Sequence, residues 1–364
     1  MKVLHVIDLM AVGGAQFLIK GIFETYQNKD HYLFVLRHTN NLIEVDHPNV
    51  YFAGSRSKYG LGSLFELKKF IKKNKIDVIH AYLLKSQIFS RILKQFWFSY
   101  IKLVFHEHGE IFINNAPWYI RFMKKSEKFV NLYFATSDST AEALNKKTNI
   151  SVKKIVSLYN YVVLENFSKD KISINVKSEK KNLGIKPDEF VIGFAGRLSY
   201  EKGPVHLINA LPHIKHKYKL VIAGAGDQLE LLKERINELN LNENVIFLGF
   251  VKDMINTYAL FDSLIIPSEH ESFGLVAVEA QSMGIPVVAS DVPGLNEVVL
   301  ELKSGLQFKS KDHIMMAEKI NLLIEDKVLY NDLKNKGKIF AQQYDIDTYY
   351  NKMLSSYKEI LTKR

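Results

Sequence analysis

The sequence predicts an α/β protein with two parallel-sheet domains that face a cleft. Short apolar runs rich in β-branched residues alternate with segments of helical period, which is typical of parallel strands joined by helical crossovers. The alternation stops in a polar, lysine-rich stretch from about residue 168 to 186 and then starts again. A chain of 364 residues is also long enough for two domains of ordinary size.

The first domain is expected over residues 1–167. Its strands are predicted at KVLHVIDL, YLFVLRH, VYFAG, DVIHAY, KLVFHEHG, LYFATSD and KIVSLYN, because each run is short, apolar and bounded by turn residues. A helix is expected from about Ala15, and SLFELKKFIKKNK carries helical spacing. Strands that alternate with helices in this way predict a parallel sheet.

The second domain is expected over residues 168–344. Its strands are predicted at EFVIGFAGRL, YKLVIAGAG, NVIFLGF, SLIIPS and IPVVAS, each followed by a helical segment. Residues 345–364 form one amphipathic pattern with no strand after it. The last helix must therefore pack on an existing surface.

The composition excludes several classes of protein. With 47% hydrophobic and 24% charged residues the chain is an ordinary globular sequence, and without cysteine it has no disulfide, thiolate metal site or cysteine nucleophile. Its first apolar run contains Asp8 and is followed by Gly13 and Gly14, which fits a buried strand better than a secretory signal. We therefore expect a cytoplasmic protein.

The net charge of +10 comes from the first half of the chain. Residues 1–170 hold 24 Lys and Arg against 14 Asp and Glu, whereas residues 171–364 hold 25 of each kind. One explanation is that the first half contacts an anionic partner, such as a membrane surface, a nucleic acid or a phosphorylated substrate. The other is that these lysines only solvate helix faces.

No apolar run is long enough to predict a transmembrane helix, and FSRILKQFWFSYIKLVF, which comes closest, is interrupted by cationic residues. We expect Phe96, Trp97 and Phe98 to lie in the core. The alternative is that they anchor the protein to anionic lipid, because the basic stretches LKKFIKKNK and RFMKKSEKF belong to the same domain.

Candidate ligand-binding residues follow the predicted strands, where parallel sheets bind their ligands. Gly13 and Gly14 would let backbone N–H groups approach an anion at a helix start, although such pairs also occur for steric reasons. Arg197 follows a strand and Lys202 precedes a helix that starts near Gly203. Two fixed cations suit a diphosphate, and the alternative is two solvated surface cations.

The segment HESFGLVAVE places Glu271 on a loop and Glu279 about one turn into a helix expected from about Leu275 to Gly284. Helical side chains lean toward the N-terminus, so the Glu279 carboxylate should return toward the free N–H groups of residues 274–276. A carboxylate there can accept hydrogen bonds from two vicinal hydroxyls, such as those of a ribose. Glu271 would reach the neighbouring part of the same ligand.

Two further patterns leave alternatives open. His106 and His108 lie on one face of a strand and fit a metal site without a third ligand, hydrogen bonding at a cleft rim, or a structural role. Gly224 and Gly226 resemble part of a dinucleotide fingerprint that lacks its third glycine. Close packing of the turn explains these glycines as well as a nucleotide does.

Six segments, VGGAQ, VFHEHG, GRLSYEKG, GAGDQLELL, LGFVKD and HESFGLVAVEAQSMGIPVVASDVPGLNEVV, together resemble the retaining glycosyltransferases of sequence family four. The resemblance spans nearly the whole chain and implies the GT-B fold of two Rossmann-like domains. It makes residues 1–167 the acceptor side, residues 168–344 the nucleotide-sugar donor domain, and residues 345–364 a helix that crosses back to the first domain.

The same resemblance assigns roles to residues. Glu279 would hold the donor ribose, Glu271 would face the transferred sugar, and main chain near Val251 would face the base. The catalytic set implied is His108, beside the donor sugar, with Arg197, Lys202 and Glu271. The donor-binding set implied is Gly13, Gly14, Arg197, Lys202, Val251, Phe273, Gly274, Leu275 and Glu279.

The sequence also departs from the family pattern. Gln16 stands where Glu is usual, Tyr82 stands where His is frequent, and Tyr161 replaces a usual Gly. Tyr82 and Tyr161 belong to the acceptor side or the hinge, so they leave donor chemistry intact.

The resemblance implies transfer of a sugar from a nucleotide sugar, expected to be a UDP-sugar, to a hydroxyl of a lipid-linked glycan in bacterial envelope polysaccharide assembly. Contact with an anionic surface on the inner face of the membrane is expected, without cofactor, metal or nucleic acid. One alternative is a nucleotide-sugar epimerase, which would consume donor without an acceptor. The other is a non-catalytic sugar or nucleic-acid binding module, which would show no turnover.

Overall fold

The computed structural model describes residues 1–11, 13–38, 43–54, 60–109 and 116–363. These residues form two compact units: one contains the chain up to Tyr161 together with the segment from Ile346, and the other contains Val162–Asp345. Each unit is built on a sheet in which all neighbouring strands are parallel. The predicted α/β class with two parallel sheets is confirmed.

The sheet of the first unit has seven strands in the order β3-β2-β1-β4-β5-β6-β7. The strands are β1 (Val3–Ile7), β2 (His31–Val35), β3 (Val50–Phe52), β4 (Val78–Ala81), β5 (Lys102–Glu107), β6 (Leu132–Ala135) and β7 (Ile155–Ser157). The helices between them are α1 (Gly14–Tyr26), α2 (Gly62–Asn74), α3 (Leu84–Phe96), α4 (Pro117–Ser126) and α5 (Asp138–Thr148).

The second unit has six strands in the order β10-β9-β8-β11-β12-β13. They are β8 (Phe190–Ala195), β9 (Tyr218–Ala223), β10 (Val245–Gly249), β11 (Ser263–Ile266), β12 (Val287–Ser290) and β13 (Leu306–Phe308). The helices are α6 (Val176–Asn182), α7 (Pro204–Ala210), α8 (Leu229–Glu238), α9 (Met254–Tyr258), α10 (Leu275–Ser282), α11 (His313–Glu325) and α12 (Lys327–Ala341).

The last helix, α13 (Ile346–Thr362), packs on the first unit, as the sequence predicted. Its buried residues recur at helical spacing, so one stripe faces the sheet. Within that stripe, the Tyr357 hydroxyl lies 2.5 Å from His80 Nδ1. Tyr350 stacks on Tyr26 with ring centroids 3.6 Å apart. Each large side chain buried in this way contributes about 1.5–3 kcal/mol to folding.

Strand periodicity gives the first sheet two different faces. On β1, Leu4 and Val6 join a large apolar cluster with α2 and α3, whereas His5 points to the opposite face. His5, His31, His80, His106 and His108 share that opposite face and are called the histidine row below. Buried polar rings on one face therefore distinguish this sheet from the second, whose core is apolar around Ile192, Leu220 and Ile265.

The aromatic run at the end of α3 differs from the expectation. Phe98 is buried, as predicted, but Phe96 and Trp97 are exposed. α3 ends at Phe96, so Trp97 no longer follows the buried stripe of that helix, and Phe96 lies outside the stripe. Among the described residues, no helix combines the length and the apolar content that a membrane crossing needs.

Candidate active site

The loop after β8 presents the two predicted cations. Arg197 is exposed, and residues Tyr200–Lys202 form a short 3₁₀ turn that ends at Gly203. Gly203 has φ +60°, and a Cβ there would lie 2.3 Å from the Pro267 carbonyl oxygen. A glycine is therefore required where this loop meets the loop that follows β11.

Lys202 and Glu271 form an ion pair with Nζ 2.5 Å from Oε2. The sequence predicted both residues in the site but assigned them to different parts of the ligand. Glu271 also lies against the start of α10, because a Cβ at Gly274 would be 3.7 Å from Glu271 Cγ. A cation, a carboxylate and a helix N-terminus therefore meet at one place.

The start of α10 suits an anion or a hydroxyl group. The helix begins at Leu275, as predicted, and Gly274 precedes it with φ +97°. No side-chain cap from a described residue and no acidic residue occupies the first turn. The first N–H groups of a helix lack intrahelical partners and carry partial positive charge, so a ligand can use them.

Glu279 lies on α10 and accepts a hydrogen bond from the Tyr258 hydroxyl, with 2.6 Å between Tyr258 Oη and Glu279 Oε2. Burial raises the pKa of the Glu279 carboxyl, and the hydrogen bond from Tyr258 opposes this rise. Burial also raises the pKa of Tyr258 well above its usual range, so this hydroxyl stays a donor. Sequence reasoning missed Tyr258, since nothing in the run MINTYALFD marks a tyrosine that bonds to a residue of another helix.

Three other residues predicted to bind the donor, Phe273, Leu275 and Val251, are buried or half-buried. The Phe273 side chain is buried edge-to-face against Tyr344, with ring centroids 5.2 Å apart, so only its main chain remains for a ligand. Leu275 is half-buried at the first position of α10, and Val251 is half-buried just after β10.

Gly224 and Gly226 have a packing explanation. A Cβ at Gly224 would lie 1.8 Å from the Gly196 carbonyl oxygen, and one at Gly226 would lie 2.2 Å from the Leu198 carbonyl oxygen. The turn after β9 therefore packs backbone to backbone against the turn after β8. Of the two explanations that the sequence left open, this contact favours close packing.

In the first unit, α1 begins at Gly14, with Gly13 before it, close to the predicted start. The first turn of α1 holds no acidic residue and no side-chain cap from a described residue. Gln16, which replaces the usual glutamate, donates from Nε2 to the Leu9 carbonyl oxygen at 3.1 Å. Backbone N–H groups at this helix start suit an anion, as the sequence predicted for the glycine pair.

His106 and His108 stack with ring centroids 4.1 Å apart, as their spacing on β5 predicts. Both ring nitrogens of His106 and Nε2 of His108 are buried and hydrogen-bond to no described residue. Burial lowers the pKa of His108 to about 3, and burial with neighbouring histidines lowers the pKa of His106 well below its usual range. Both rings are therefore neutral at pH 7, and stacked rings do not converge on a common point.

Metal binding has no geometric support in the part of the chain that the structure describes, since no three His, Asp or Glu side chains there are arranged to hold an ion. Metal independence of the activity stays a prediction.

Asp8, the polar residue within the first apolar run, accepts hydrogen bonds from the N–H groups of Lys85 and Ser86 at 3.0 and 2.6 Å. Its role is to cap the start of α3.

Comparison with known proteins gives two family matches. Residues 12–166 match the model described as Glycosyltransferase Family 4, and residues 175–340 match the model described as Glycosyl transferases group 1. An uncharacterised glycosyltransferase of Methanocaldococcus jannaschii is 35% identical over 199 residues, which are 52% of this chain and 50% of that protein. The chain thus spans only about half the length of this relative.

A second relative aligns over more of its length. The UDP-Gal:alpha-D-GlcNAc-diphosphoundecaprenol alpha-1,3-galactosyltransferase of Escherichia coli is 26% identical over 83% of this chain and 80% of that protein. Among solved structures, Anabaena HepE in complex with UDP superposes with a TM-score of 0.85 at 22% identity, covering 99% of this chain and 100% of that one. From the two family matches and this likeness of fold, the chain belongs to the family-four glycosyltransferases and has the GT-B fold.

Proposed function

We propose that the protein is a retaining glycosyltransferase that moves a hexosyl group from a UDP-sugar to a hydroxyl of a growing, lipid-linked glycan. One observation carries the proposal: Lys202, Glu271 and the start of α10 meet at one place in the second unit. A nucleoside diphosphate and the sugar attached to it need this combination of a cation, free N–H groups and a carboxylate.

Each residue has a chemical task in this proposal. As the bond between the sugar C1 and the diphosphate oxygen breaks, negative charge grows on the leaving diphosphate, and Arg197 and Lys202 stabilise that charge. Glu279 accepts hydrogen bonds from the ribose, while Glu271 faces the transferred sugar. Two cations and a helix start face the diphosphate, so no divalent ion is required.

Uridine as the base is supported by two comparisons, because HepE was crystallised with UDP and the Escherichia coli relative is named for UDP-Gal. That relative is also named for an acceptor on diphosphoundecaprenol, which supports a lipid-linked acceptor and a role in envelope polysaccharide assembly. Retention and the hexosyl class rest on the family resemblance.

We propose further that the first unit contacts the inner face of the cell membrane from the cytoplasm. The support is a surface on which Lys68 Nζ lies 4.2 Å from the ring centroid of Trp97, and Phe96 packs beside that ring with centroids 5.9 Å apart. We call it the lysine–aromatic surface, and it comprises Phe65, Lys68, Lys69, Lys72, Lys73, Phe96, Trp97 and Tyr100. Basic and aromatic side chains together are how peripheral proteins bind anionic lipid.

The test measures nucleoside diphosphate release from a panel of UDP-, GDP- and ADP-sugars, with and without lipid-linked acceptor. UDP release that depends on acceptor and survives EDTA is the expected result. Arg197→Ala should lower kcat about 100- to 1,000-fold, by analogy with removing one preorganised donor from a transition state. The product's anomeric configuration, measured by NMR, tests retention.

Arg235→Ala is the control for Arg197→Ala, because Arg235 belongs to the same unit but bonds to Asn209 and Glu238 and lies on neither loop. An unchanged kcat with only a raised KM in Arg197→Ala would remove the leaving-group role. Loss of activity in EDTA that Mn²⁺ or Mg²⁺ restores would remove the metal-independent mechanism. Donor consumption without acceptor would favour an epimerase.

A further inference from the structure

A buried carboxylate two residues before Glu271 connects three parts of the second unit. Glu269 Oε1 lies 2.8 Å from His206 Nε2 on α7, and Glu269 Oε2 lies 2.7 Å from Lys311 Nζ. The Glu269 side chain is 6% exposed. Burial raises the pKa of this carboxyl, but hydrogen bonds from Lys311 and His206 outweigh burial and lower it. Glu269 is therefore a charged group whose partners lie on two other elements.

The same position is tied to the cation loop through the backbone. The Glu269 N–H donates to the Glu201 carbonyl oxygen at 2.8 Å, and the His270 N–H donates to the same oxygen at 3.3 Å. Lys202 follows Glu201 directly, and Glu271 follows His270 directly. The bond between the two loops thus stands immediately beside the Lys202–Glu271 ion pair.

The connection continues beyond Glu269. His206 Nδ1 lies 3.1 Å from His313 Nε2, at the first residue of α11, and the two rings stack at 27°. Lys311 also lies 3.4 Å from the Tyr200 hydroxyl, on the cation loop. The network therefore contacts the chain on both sides of Lys202, at Tyr200 before it and at His206 after it.

We propose that Glu269 is a positioning residue of the donor site. Through His206 and Lys311 it fixes the loop that carries Glu271 at the separation from the Lys202 loop that a nucleotide sugar requires. This inference rests on the proposed function of that site. The Lys311 side chain is 52% exposed, so its ion pair with Glu269 contributes little net stability, and the main effect of this network is on the position of its loop.

The experiment compares Glu269→Gln with wild type and with Glu325→Gln. Glu325 bonds to His216 Nε2 at 2.8 Å, so this control removes the charge from a second Glu–His pair of the same unit and the same length, located on neither donor loop. UDP affinity is measured by calorimetry, turnover is measured at saturating donor, and the number of UDP-binding sites normalises kcat.

Glu269→Gln is expected to lower normalised kcat by about 10-fold or more and to weaken UDP binding several-fold, with Glu325→Gln near wild type. A lower melting temperature with unchanged normalised kcat and UDP affinity would show a merely structural role and overturn the proposal. If Glu269→Gln does not fold, the same measurements on Lys311→Met test the proposal. This substitution removes one partner from an exposed position, and an unchanged kcat and UDP affinity in that variant would overturn the proposal as well.

Different results would contradict the proposed donor site and the positioning role of Glu269. If wild type binds no nucleoside diphosphate, the proposed donor site is wrong, and so is the role of Glu269 in it. If wild type binds UDP and turns over donor while Glu269→Gln matches it in both, only the positioning role is wrong.

Discussion

Among the described residues, the Glu279 carboxylate has one hydrogen-bond partner, Tyr258, and it is half-buried on α10. A carboxylate in such a place costs free energy unless it has partners, and one phenol does not use all its acceptor capacity. Two vicinal hydroxyls of a ribose would use the rest. In the proposed donor site, this residue would connect donor recognition to the interior of the second unit.

Glu279→Gln should weaken UDP binding by roughly 10- to 150-fold, because a charge-assisted hydrogen bond contributes about 1.5–3 kcal/mol. Tyr258→Phe keeps the carboxylate and should weaken binding less. Isothermal calorimetry with UDP measures both. If Glu279→Gln and Glu279→Ala both bind UDP as wild type does, the ribose assignment is wrong.

The sequence was sufficient to nominate Lys202, Glu271 and Glu279, because Lys202 and Glu271 lie on loops that follow strands and the spacing of the two glutamates places Glu279 on the next helix. It was not sufficient to pair Lys202 with Glu271 or Glu279 with Tyr258. Such contacts join residues far apart in the chain, and they depend on how closely two loops approach.

In the first unit, α2 combines an apolar stripe with exposed lysines. Leu64, Leu67 and Ile71 face the core, while Lys69, Lys72 and Lys73 face solvent. Lys68 joins this helix to Trp97 at the end of α3. The charge of α2 was visible in the sequence, but the exposure of Trp97 was not, because it depends on the residue at which α3 ends.

We expect the protein to sediment with vesicles that contain anionic lipid at low salt and to be released at high salt. Replacing Lys68, Lys69, Lys72 and Lys73 with Glu should abolish this binding, since each lysine near the surface contributes roughly 1 kcal/mol and the attraction is screened by salt. UDP binding, measured by calorimetry, should remain, because the proposed donor residues Lys202, Glu271 and Glu279 lie in the second unit.

The matched control changes the same number of charges on exposed lysines of the second unit: Lys181, Lys327, Lys336 and Lys338. It should sediment like wild type. Trp97→Ala should weaken binding at every salt concentration, because aromatic burial in lipid does not depend on ionic strength. Equal binding to neutral and anionic vesicles, or no binding to either, would show that the lysines only solvate the surface.

At the scale of the whole molecule, the histidine row lies on one face of the first sheet, and two of its members, His31 and His80, contact tyrosines of α13. His80 bonds to Tyr357 of that helix, and His5 Nε2 lies 3.0 Å from His31 Nδ1. Burial and neighbouring histidines lower the pKa of His5 and His80 well below 6.5, and burial lowers the pKa of His31 to about 4. Burial therefore keeps these rings uncharged in the folded protein at neutral pH.

The free energy of unfolding should fall as pH drops below about 6.5. In that range the histidines of the unfolded chain bind protons, whereas the same histidines in the folded protein stay unprotonated. His31 alone would account for a loss on the order of 2 kcal/mol at pH 5. Urea midpoints at pH 7.5, 6 and 5 measure the trend. His106→Phe should make the fall smaller, since it removes one ring whose nitrogens are buried without a described partner.

Three carboxyl groups act in the opposite direction. Burial raises the pKa of Glu107 to about 7 and also raises the pKa of Asp8 and Glu279, so each binds its proton more readily in the folded state. The five histidines outnumber them, and three have pKa values displaced well below the usual range. A urea midpoint that stays constant or rises between pH 7.5 and pH 5 would contradict this balance.

Strand and helix periodicity predicted the two sheets and a last helix packed on an existing surface, because those patterns repeat over many residues, while the family resemblance predicted its return to the first domain. The histidine row escaped prediction as a unit. Its members belong to strands β1, β2, β4 and β5 and the loop after β5, and they meet only through the register between strands. Each histidine alone looks like an ordinary core or loop residue.

The ion pair between Lys202 and Glu271 gives the resting protein an internal counter-ion. A small monovalent anion such as chloride must displace a carboxylate that is already in contact with the ammonium, so it gains little by binding. A diphosphate brings more charge and more acceptor oxygens than that carboxylate, and it also engages the helix start. In the proposed donor site, a diphosphate would therefore displace Glu271 from Lys202 where a monovalent anion would not, and Glu271 would then become available to the sugar.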